Sequence, residues 1–164
     1  SAMAGLDGRD LGHITIAASD GIRGIATSGA GGRSFSLGIA DSVTTLARTA
    51  AEADAAATMI ANAVNLPAHP GIRRTRACDL QPDSDLGARL VVTGVPPLSP
   101  EDAAQALDAG MAQAQDLLSR GLIAGAALFL QGRTRLAGTG FNGLIQKNEV
   151  AHAQGRSPQA IACA

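Results

Sequence analysis

The sequence predicts an α+β domain, in which a largely antiparallel sheet carries two long helices packed on one face. Strand-like segments with alternating apolar residues cluster before each of two helical segments. Turn signals separate neighbouring strands, which is typical of hairpins. The predicted order is therefore β-β-β-β-α followed by β-α-β-β. A parallel sheet built from βαβ units is the weaker alternative. A length of 164 residues suits a single domain.

Four strands are predicted before the first helix. They occupy residues 13–19, 22–27, 33–37 and 42–47. Asp20-Gly21 is a turn signal between the first two strands, so they should form a hairpin. Residues 28–32 are glycine-rich and predict a flexible loop, because glycine tolerates positive φ without steric cost.

The first helix is predicted at residues 50–64 and is rich in alanine. Thr49 is a suitable N-cap, and Glu52 three residues later completes the pattern of a capping box. Leu66-Pro67 ends the helix. Residues 65–88 carry three prolines and a basic run, and they are predicted to be irregular.

The second half of the chain predicts a strand, a helix and a hairpin. Residues 90–93 form the strand, and Ser99-Pro100 starts a helix that Gly121 would end. The apolar run at 122–130 predicts a buried strand, which turns into a last strand at 133–137.

Composition and charge exclude several classes of protein. The net charge of -1 and the aromatic content of 2% give neither a basic footprint nor stacking platforms for nucleic acid. No apolar run is long enough to span a membrane, and the start of the chain does not resemble a signal peptide. Cys78 and Cys163 lie too far apart to indicate a disulfide framework or a zinc site. We expect a cytoplasmic protein, with residues 1–4 a tag remnant, 5–146 the domain and 147–164 a disordered tail.

The first candidate site is a polar stripe on the alanine-rich helix. Asp54, Thr58 and Asn62 follow the i, i+4, i+8 spacing that places three residues on one helix face. A carboxylate and a hydroxyl suit a hard cation such as Mg²⁺. The alternative is that the stripe faces water while the alanines face the sheet.

The second candidate site is the glycine-rich loop. Small residues expose backbone N–H groups, which can bind phosphate or another oxyanion, and an arginine can add a charge-assisted bond. The residues concerned are Thr27, Ser28, Gly29, Gly31, Gly32 and Arg33. The alternative is a loose hairpin loop without a ligand.

Two further patterns are weaker. Asp83-Ser84-Asp85 could bind a cation, but its spacing favours a turn. Hydroxyl nucleophiles occur at Ser28, Ser34, Ser36 and Thr27, yet no motif ties a histidine to any of them.

Several segments together resemble an uncharacterised bacterial branch of the ApbE-like superfamily, whose best-known members are FAD:protein FMN transferases. They lie at residues 24–29, 32–38, 40–43, 53–58, 82–87 and 132–135. The resemblance implies an α+β fold related to the T-fold. It also implies that Thr27, Ser28 and Gly29 lie by a flavin, FAD or FMN, and that Asp54 and Thr58 ligate Mg²⁺.

The resemblance covers only the C-terminal half of that branch, so pairing with a missing N-terminal half is expected, or else a homo-oligomer. The transferases carry a His-Ile-x-x-Pro segment that is missing from residues 34–41, which speaks against FMN transfer. Only Phe35, Phe129 and Phe141 could stack on a flavin ring.

The leading functional expectation is a domain that binds a phosphate- or carboxylate-bearing small molecule with Mg²⁺. Its chemistry would be metal-assisted group transfer or phosphoester hydrolysis. Two alternatives remain open. One is a metal-free hydrolase that uses a serine or threonine of the glycine-rich loop. The other is a non-catalytic half of an oligomeric assembly.

Overall fold

The computed structural model describes residues 2–4, 10–14, 16–32, 34–138 and 141. The strands are β1 (Ala2–Ala4), β2 (Asp10–His13), β3 (Gly24–Ser28), β4 (Ser42–Ala47), β5 (Arg73–Arg76), β6 (Leu90–Gly94), β7 (Gly125–Leu130) and β8 (Arg133–Gly138). The helices are α1 (Ala50–Ala63), α2 (Ala77–Leu80) and α3 (Pro100–Ser119), with a 3₁₀ turn at Ala18–Asp20.

The main sheet has four antiparallel strands in the order β3-β4-β7-β8. Two further antiparallel pairs, β1-β2 and β5-β6, lie outside it. In β4, one of the two inner strands, Thr44 lies opposite Thr27 of β3 on one side and opposite Ala127 of β7 on the other. The predicted α+β class with a largely antiparallel sheet is therefore confirmed.

Helices α1 and α3 pack against one face of this sheet and against each other. The buried face of α1 is mostly alanine: Ala53, Ala56, Ala57, Ile60 and Ala61. Small side chains let the helix approach closely, and the buried hydroxyl of Thr45 donates to the Ala53 carbonyl oxygen at 2.6 Å. The alanine-rich composition is thus a requirement of this close contact between helix and sheet.

The opposite face of the sheet has a smaller apolar cluster of its own. Because side chains alternate along a strand, Leu46, Ala127 and Phe129 point away from the helices. Ile14 and Phe141, from segments that flank the sheet in sequence, pack against them. Phenylalanines 129 and 141 are therefore core residues.

Both long helices begin where the sequence predicts. The Thr49 hydroxyl accepts from the Glu52 N–H at 3.2 Å, and the Ser99 hydroxyl accepts from the Asp102 N–H at 3.0 Å. These bonds satisfy N–H groups that have no partner within the helix. Gly121 follows α3 with a φ of 66°, as a C-terminal glycine does.

Two predicted strands are wrong. Among the described residues, the strand expected at 13–19 is absent beyond His13, where β2 ends, and the segment Ala18–Asp20 is a 3₁₀ turn, in which the Asp20 carboxylate accepts from the Ala17 N–H at 2.8 Å. The hairpin expected between this segment and 22–27 is therefore also wrong, since β3 pairs with β4. Residues 34–37 of the strand expected at 33–37 instead cross to the end of α1. There the Leu37 N–H donates to Asn62 Oδ1 at 3.2 Å. Local and tertiary side-chain bonds replace strand pairing in both places.

The region 65–88 is less irregular than its prolines suggest. It contains β5 and the short helix α2, and β5 pairs with β6. Residues 2–4, which we interpret from the sequence as a tag remnant, pair with β2. The tail expected to be disordered, 147–164, lies outside the described residues.

The turn between β7 and β8 is held by Gln131, which has a φ of 45°. Its backbone N–H donates to Asp41 Oδ2 at 2.6 Å. Its side-chain oxygen accepts from the Leu98 N–H at 2.9 Å, and its side-chain nitrogen donates to the Pro96 carbonyl at 2.7 Å. Gln131 therefore ties the hairpin to the segment that precedes α3.

Gln131→Ala is expected to lower the free energy of unfolding by about 1–2 kcal/mol, because it removes both side-chain bonds at an exposed turn. Urea denaturation measures the loss. Arg133→Ala, two residues along, is the control and should cost no more than about 0.5 kcal/mol. Equal losses in the two variants would show that the bonds of Gln131 contribute nothing.

Candidate functional site

A cleft of about 540 Å³ opens between two segments that are far apart in the sequence. One is Ser34 and Phe35, just after the glycine-rich loop; the other is the loop that follows α2. The lining residues are Ser34, Phe35, Gln81, Asp83, Ser84, Asp85 and Leu86. We refer to this as the acidic cleft.

The second wall of the acidic cleft is a series of tight turns. The Ser84 N–H donates to the Gln81 carbonyl at 3.0 Å, and the Gly87 N–H donates to the Ser84 carbonyl at 3.1 Å. The Ser84 hydroxyl accepts from the Leu86 N–H at 3.3 Å. A bond of 2.9 Å from the Cys78 N–H to the Gly87 carbonyl closes the loop onto α2. The interpretation of Asp83-Ser84-Asp85 as a turn is confirmed, and the turn is built from backbone groups and Ser84.

The first wall is anchored immediately after Phe35. The Ser36 carbonyl accepts from the Val92 N–H of β6 at 2.8 Å, and the Ser36 hydroxyl donates to the Gly38 carbonyl at 2.9 Å. The Leu37 carbonyl accepts from the Asn65 side chain at 2.9 Å. These bonds fix the backbone next to the cleft, and the Phe35 side chain is left 37% exposed.

The electrostatics of the cleft are set by two carboxylates. Asp83 and Asp85 are both exposed, and neither forms an ion pair or hydrogen bond with another residue in the described part of the chain. The arginine nearest α2, Arg76, is held elsewhere, since its Nε donates to Asp79 at 2.9 Å. That hydrogen bond, together with the charge of the carboxylate, raises the pKa of Arg76. No arginine or lysine is among the lining residues of the cleft in the described chain.

Among the residues predicted to bind an anion, Thr27 has another side-chain partner in the structure. The Thr27 hydroxyl shares a 2.8 Å hydrogen bond with Thr44. Ser28 ends β3 and is half-buried, while Gly29 has a φ of 151°. Arg33 lies outside the described residues.

The loop N–H groups are also engaged. Ala30 donates to the Ala40 carbonyl at 2.8 Å, Gly31 to the Asp41 carbonyl at 3.4 Å and Gly32 to the Gly29 carbonyl at 3.1 Å. These bonds give the glycine-rich loop a structural role, that of turning the chain back along β4.

The predicted metal ligands lie on α1. Asp54 and Thr58 are exposed, on the side of the helix away from the alanines that pack on the sheet. Asn62, the third residue of the polar stripe, binds the Leu37 backbone instead. Within the described residues, no three His, Cys, Asp or Glu side chains come together as a metal-binding group.

Sequence reasoning did not connect the two walls of the cleft. It noted Ser34 as a hydroxyl and Asp83-Ser84-Asp85 as a turn, but no local pattern indicates that they meet. The one usable signal is Phe35, since an aromatic side chain next to glycine-rich and serine-rich sequence is unusual in a chain with three phenylalanines.

Comparison with known proteins identifies the family to which this chain belongs. A model of the family described as AbpE bacteria matches residues 1–136, which is most of the chain. The chain belongs to this family. No curated protein and no solved structure gives a significant match. Among the described residues, no helix is both long and apolar enough to cross a bilayer.

The family match corrects one prediction. Assignment to the C-terminal half of the ApbE-like superfamily is wrong, because the matching family is AbpE bacteria and the match begins at residue 1 and covers the N-terminal region. The segments that suggested it are short and rich in small residues. Gly29 and Gly38 lie where a Cβ would collide with neighbouring backbone, so packing alone requires glycine there. Pairing with a missing N-terminal half rests on that assignment and is not proposed.

Proposed function

We propose that the protein is a small-molecule-binding domain and that its ligand occupies the acidic cleft between Ser34-Phe35 and the loop 81–86. The proposal is supported by the side chains that line the cleft. An exposed aromatic ring and two carboxylates without a partner in the described chain converge on one cavity. Its volume of about 540 Å³ lies within the range of small-molecule sites, roughly 300–1,000 Å³.

A thermal-shift screen of flavins, nucleotides, sugar phosphates and amines tests this proposal. A ligand that binds the native state raises Tm by mass action. We expect at least one class to raise the Tm of the wild type and to lose most of that effect in Phe35→Ala.

Met59→Ala is the matched control, because Met59 is also a large exposed apolar residue, at 47%, but lies on α1. It should retain the full shift. If every active ligand stabilises Phe35→Ala and the wild type equally, the acidic cleft is not the binding site.

We also propose, as a second candidate, that Asp54 and Thr58 bind Mg²⁺. Both side chains are exposed one helical turn apart, and within the described residues the Asp54 carboxylate has no competing ion pair. A single carboxylate and hydroxyl leave most of the octahedral shell to water or a ligand oxygen. The sequence analysis predicted a ligand that carries a phosphate or carboxylate, and group-transfer chemistry on it. Both predictions depend on this metal site.

Calorimetric titration of MgCl₂ tests the metal site. We expect weak, saturable binding, because one carboxylate supplies little of the shell. Asp54→Asn should abolish it, whereas Glu101→Gln, an exposed carboxyl on α3, should leave it unchanged. The same heats in wild type and Asp54→Asn would eliminate the site.

The remaining expectations stay predictions. They are a flavin near Thr27, a metal-free hydrolase using Thr27 or Ser28, a homo-oligomer and a cytoplasmic location. For the hydrolase, the Thr27 hydroxyl is already hydrogen-bonded to the Thr44 hydroxyl, so Ser28 is the better candidate nucleophile. Turnover unchanged in Ser28→Ala, on any substrate found by the screen, would eliminate it.

A further inference from the structure

We infer that the ligand of the acidic cleft is an organic cation: a small molecule that carries a protonated amine or a quaternary ammonium group next to an apolar or planar group. This inference rests on the proposed function, since it names the class of ligand for the same cavity. The sequence analysis expected an anionic ligand. The side chains that line the cleft are the reason for inferring a cation instead.

The sign of the ligand charge follows from the two aspartates. The carboxylates of Asp83 and Asp85 accept no hydrogen bond from any described residue and form no ion pair with one. Their charge is therefore not neutralised within that part of the protein. Like charges in a partly enclosed cavity repel more strongly than they do in bulk water, because the local dielectric constant is lower. An anion would meet this repulsion, whereas a cation would relieve it.

Turn formation does not account for these carboxylates. In an Asx turn the carboxylate accepts a backbone N–H two residues ahead. Here the corresponding bond is made by Ser84, whose hydroxyl accepts from the Leu86 N–H at 3.3 Å, and the flanking turns use backbone carbonyls. Asp83 and Asp85 could therefore be asparagine without loss of a hydrogen bond in the described structure. Their negative charge is therefore available to bind a ligand.

The opposite wall fits the rest of an organic cation. Phe35 is 37% exposed at the cleft, whereas Phe129 and Phe141 are 7% and 1% exposed. A cation within about 6 Å of an aromatic ring is attracted by the negative face of its π-system. Leu86 adds apolar surface, and Ser34 and Gln81 can accept N–H bonds.

A bare metal ion fits this lining less well. The described residues bring no third histidine, cysteine or acidic side chain to the two aspartates. A metal ion also makes no use of the exposed ring, whereas a quaternary ammonium uses both the ring and the carboxylates.

The probes are choline, agmatine and benzylamine. Their binding to the full chain is measured by chemical-shift titration. Choline is compared with its neutral isostere 3,3-dimethyl-1-butanol, and AMP represents an anion. We expect the amines to bind and choline to bind at least about 5-fold more tightly than the isostere, a factor set by the charge interaction. Binding of the amines should weaken as salt is raised, because the carboxylates are exposed.

Two sets of variants locate the interaction. Asp83→Asn/Asp85→Asn should weaken amine binding about 10-fold or more, and Phe35→Leu about 2- to 5-fold. Asp108→Asn/Asp116→Asn removes two exposed carboxylates from α3, so it matches the change in net charge and should leave binding unchanged.

The outcomes separate this inference from the proposed function. If amines and the neutral isostere bind equally, or if the ligands that lose binding in Phe35→Ala are anionic, the cationic class is overturned while the cleft remains the site. If the α3 double variant weakens amine binding as much as the cleft variant does, binding is only a net-charge effect and the inference fails. If no ligand of any class responds to a cleft variant, the proposed function fails as well.

Discussion

Replacing Gly29 with alanine is expected to lower the free energy of unfolding by about 3 kcal/mol or more. Gly29 has a φ of 151°, in a region that is almost restricted to glycine, and forcing another residue into it costs about 1–3 kcal/mol. A Cβ there would also lie 2.5 Å from the Asp41 carbonyl oxygen and 2.9 Å from Ser42 Cα. Both are backbone atoms, one immediately before β4 and one at its first residue, and β4 is an inner strand, so relief requires a shift of the sheet, at about 1–3 kcal/mol.

Gly32→Ala is the matched control, because Gly32 belongs to the same loop. Its Cβ would come no closer than 3.3 Å, to the Gly29 carbonyl oxygen, and its φ is not positive. We expect a change within about 0.5 kcal/mol. Urea denaturation of both variants gives the comparison. A loss at Gly32 as large as that at Gly29 would contradict the close contact with Asp41.

This pair bears on how glycine-rich motifs are interpreted. The sequence predicts a loop at 28–32, which is correct, but it does not show which N–H groups remain free. That depends on β4, since Ala30 and Gly31 donate to carbonyls of residues 40 and 41. A run of small residues is equally compatible with an anion site and with backbone packed against backbone. The structure supports the second at Gly29.

The fold could be predicted largely because its signals are local. Thr49 and Ser99 mark helix starts through bonds that span three residues. The strand at 42–47 is recovered with the predicted bounds because its β-branched residues are contiguous. At 34–37 the prediction failed because a side chain from elsewhere in the chain decides the backbone. Asn62 holds Leu37 across 25 residues, and strand-like alternation at 34–37 gives no sign of it.

The acidic cleft could not be predicted for a similar reason. Ser34 and Phe35 meet the loop 81–86 only because β4, α1 and β5, which lie between them in the chain, bring the two segments together. The Val92 N–H, bonded to the Ser36 carbonyl, links the two walls through β6. Each wall has a recognisable local character, but their proximity is a property of the assembled fold.

Leu128→Ala is expected to cost about 3–4 kcal/mol of unfolding free energy. Leu128 is fully buried in β7, and leucine-to-alanine changes in a core cost about 2–5 kcal/mol, most where the cavity cannot collapse. Collapse is limited here. Gly110 of α3 faces Leu128, since a Cβ built at Gly110 would lie 2.8 Å from Leu128 Cδ2, so the helix backbone packs directly against this side chain. A glycine has no side chain that could move into the space left behind.

Leu90→Ala is the control, since Leu90 lies on β6 but is 55% exposed. Its side chain is half hydrated in the folded state, so the same change should cost less than about 1 kcal/mol. Denaturant midpoints of the two variants, compared at equal m-values, measure the difference. Leu128 belongs to the core cluster that also contains buried residues of both long helices, so its loss should also loosen α1. Hydrogen exchange at the buried N–H groups of α1 should therefore accelerate in Leu128→Ala and not in Leu90→Ala. Equal protection in the two variants would contradict a single core shared by the helices and the sheet.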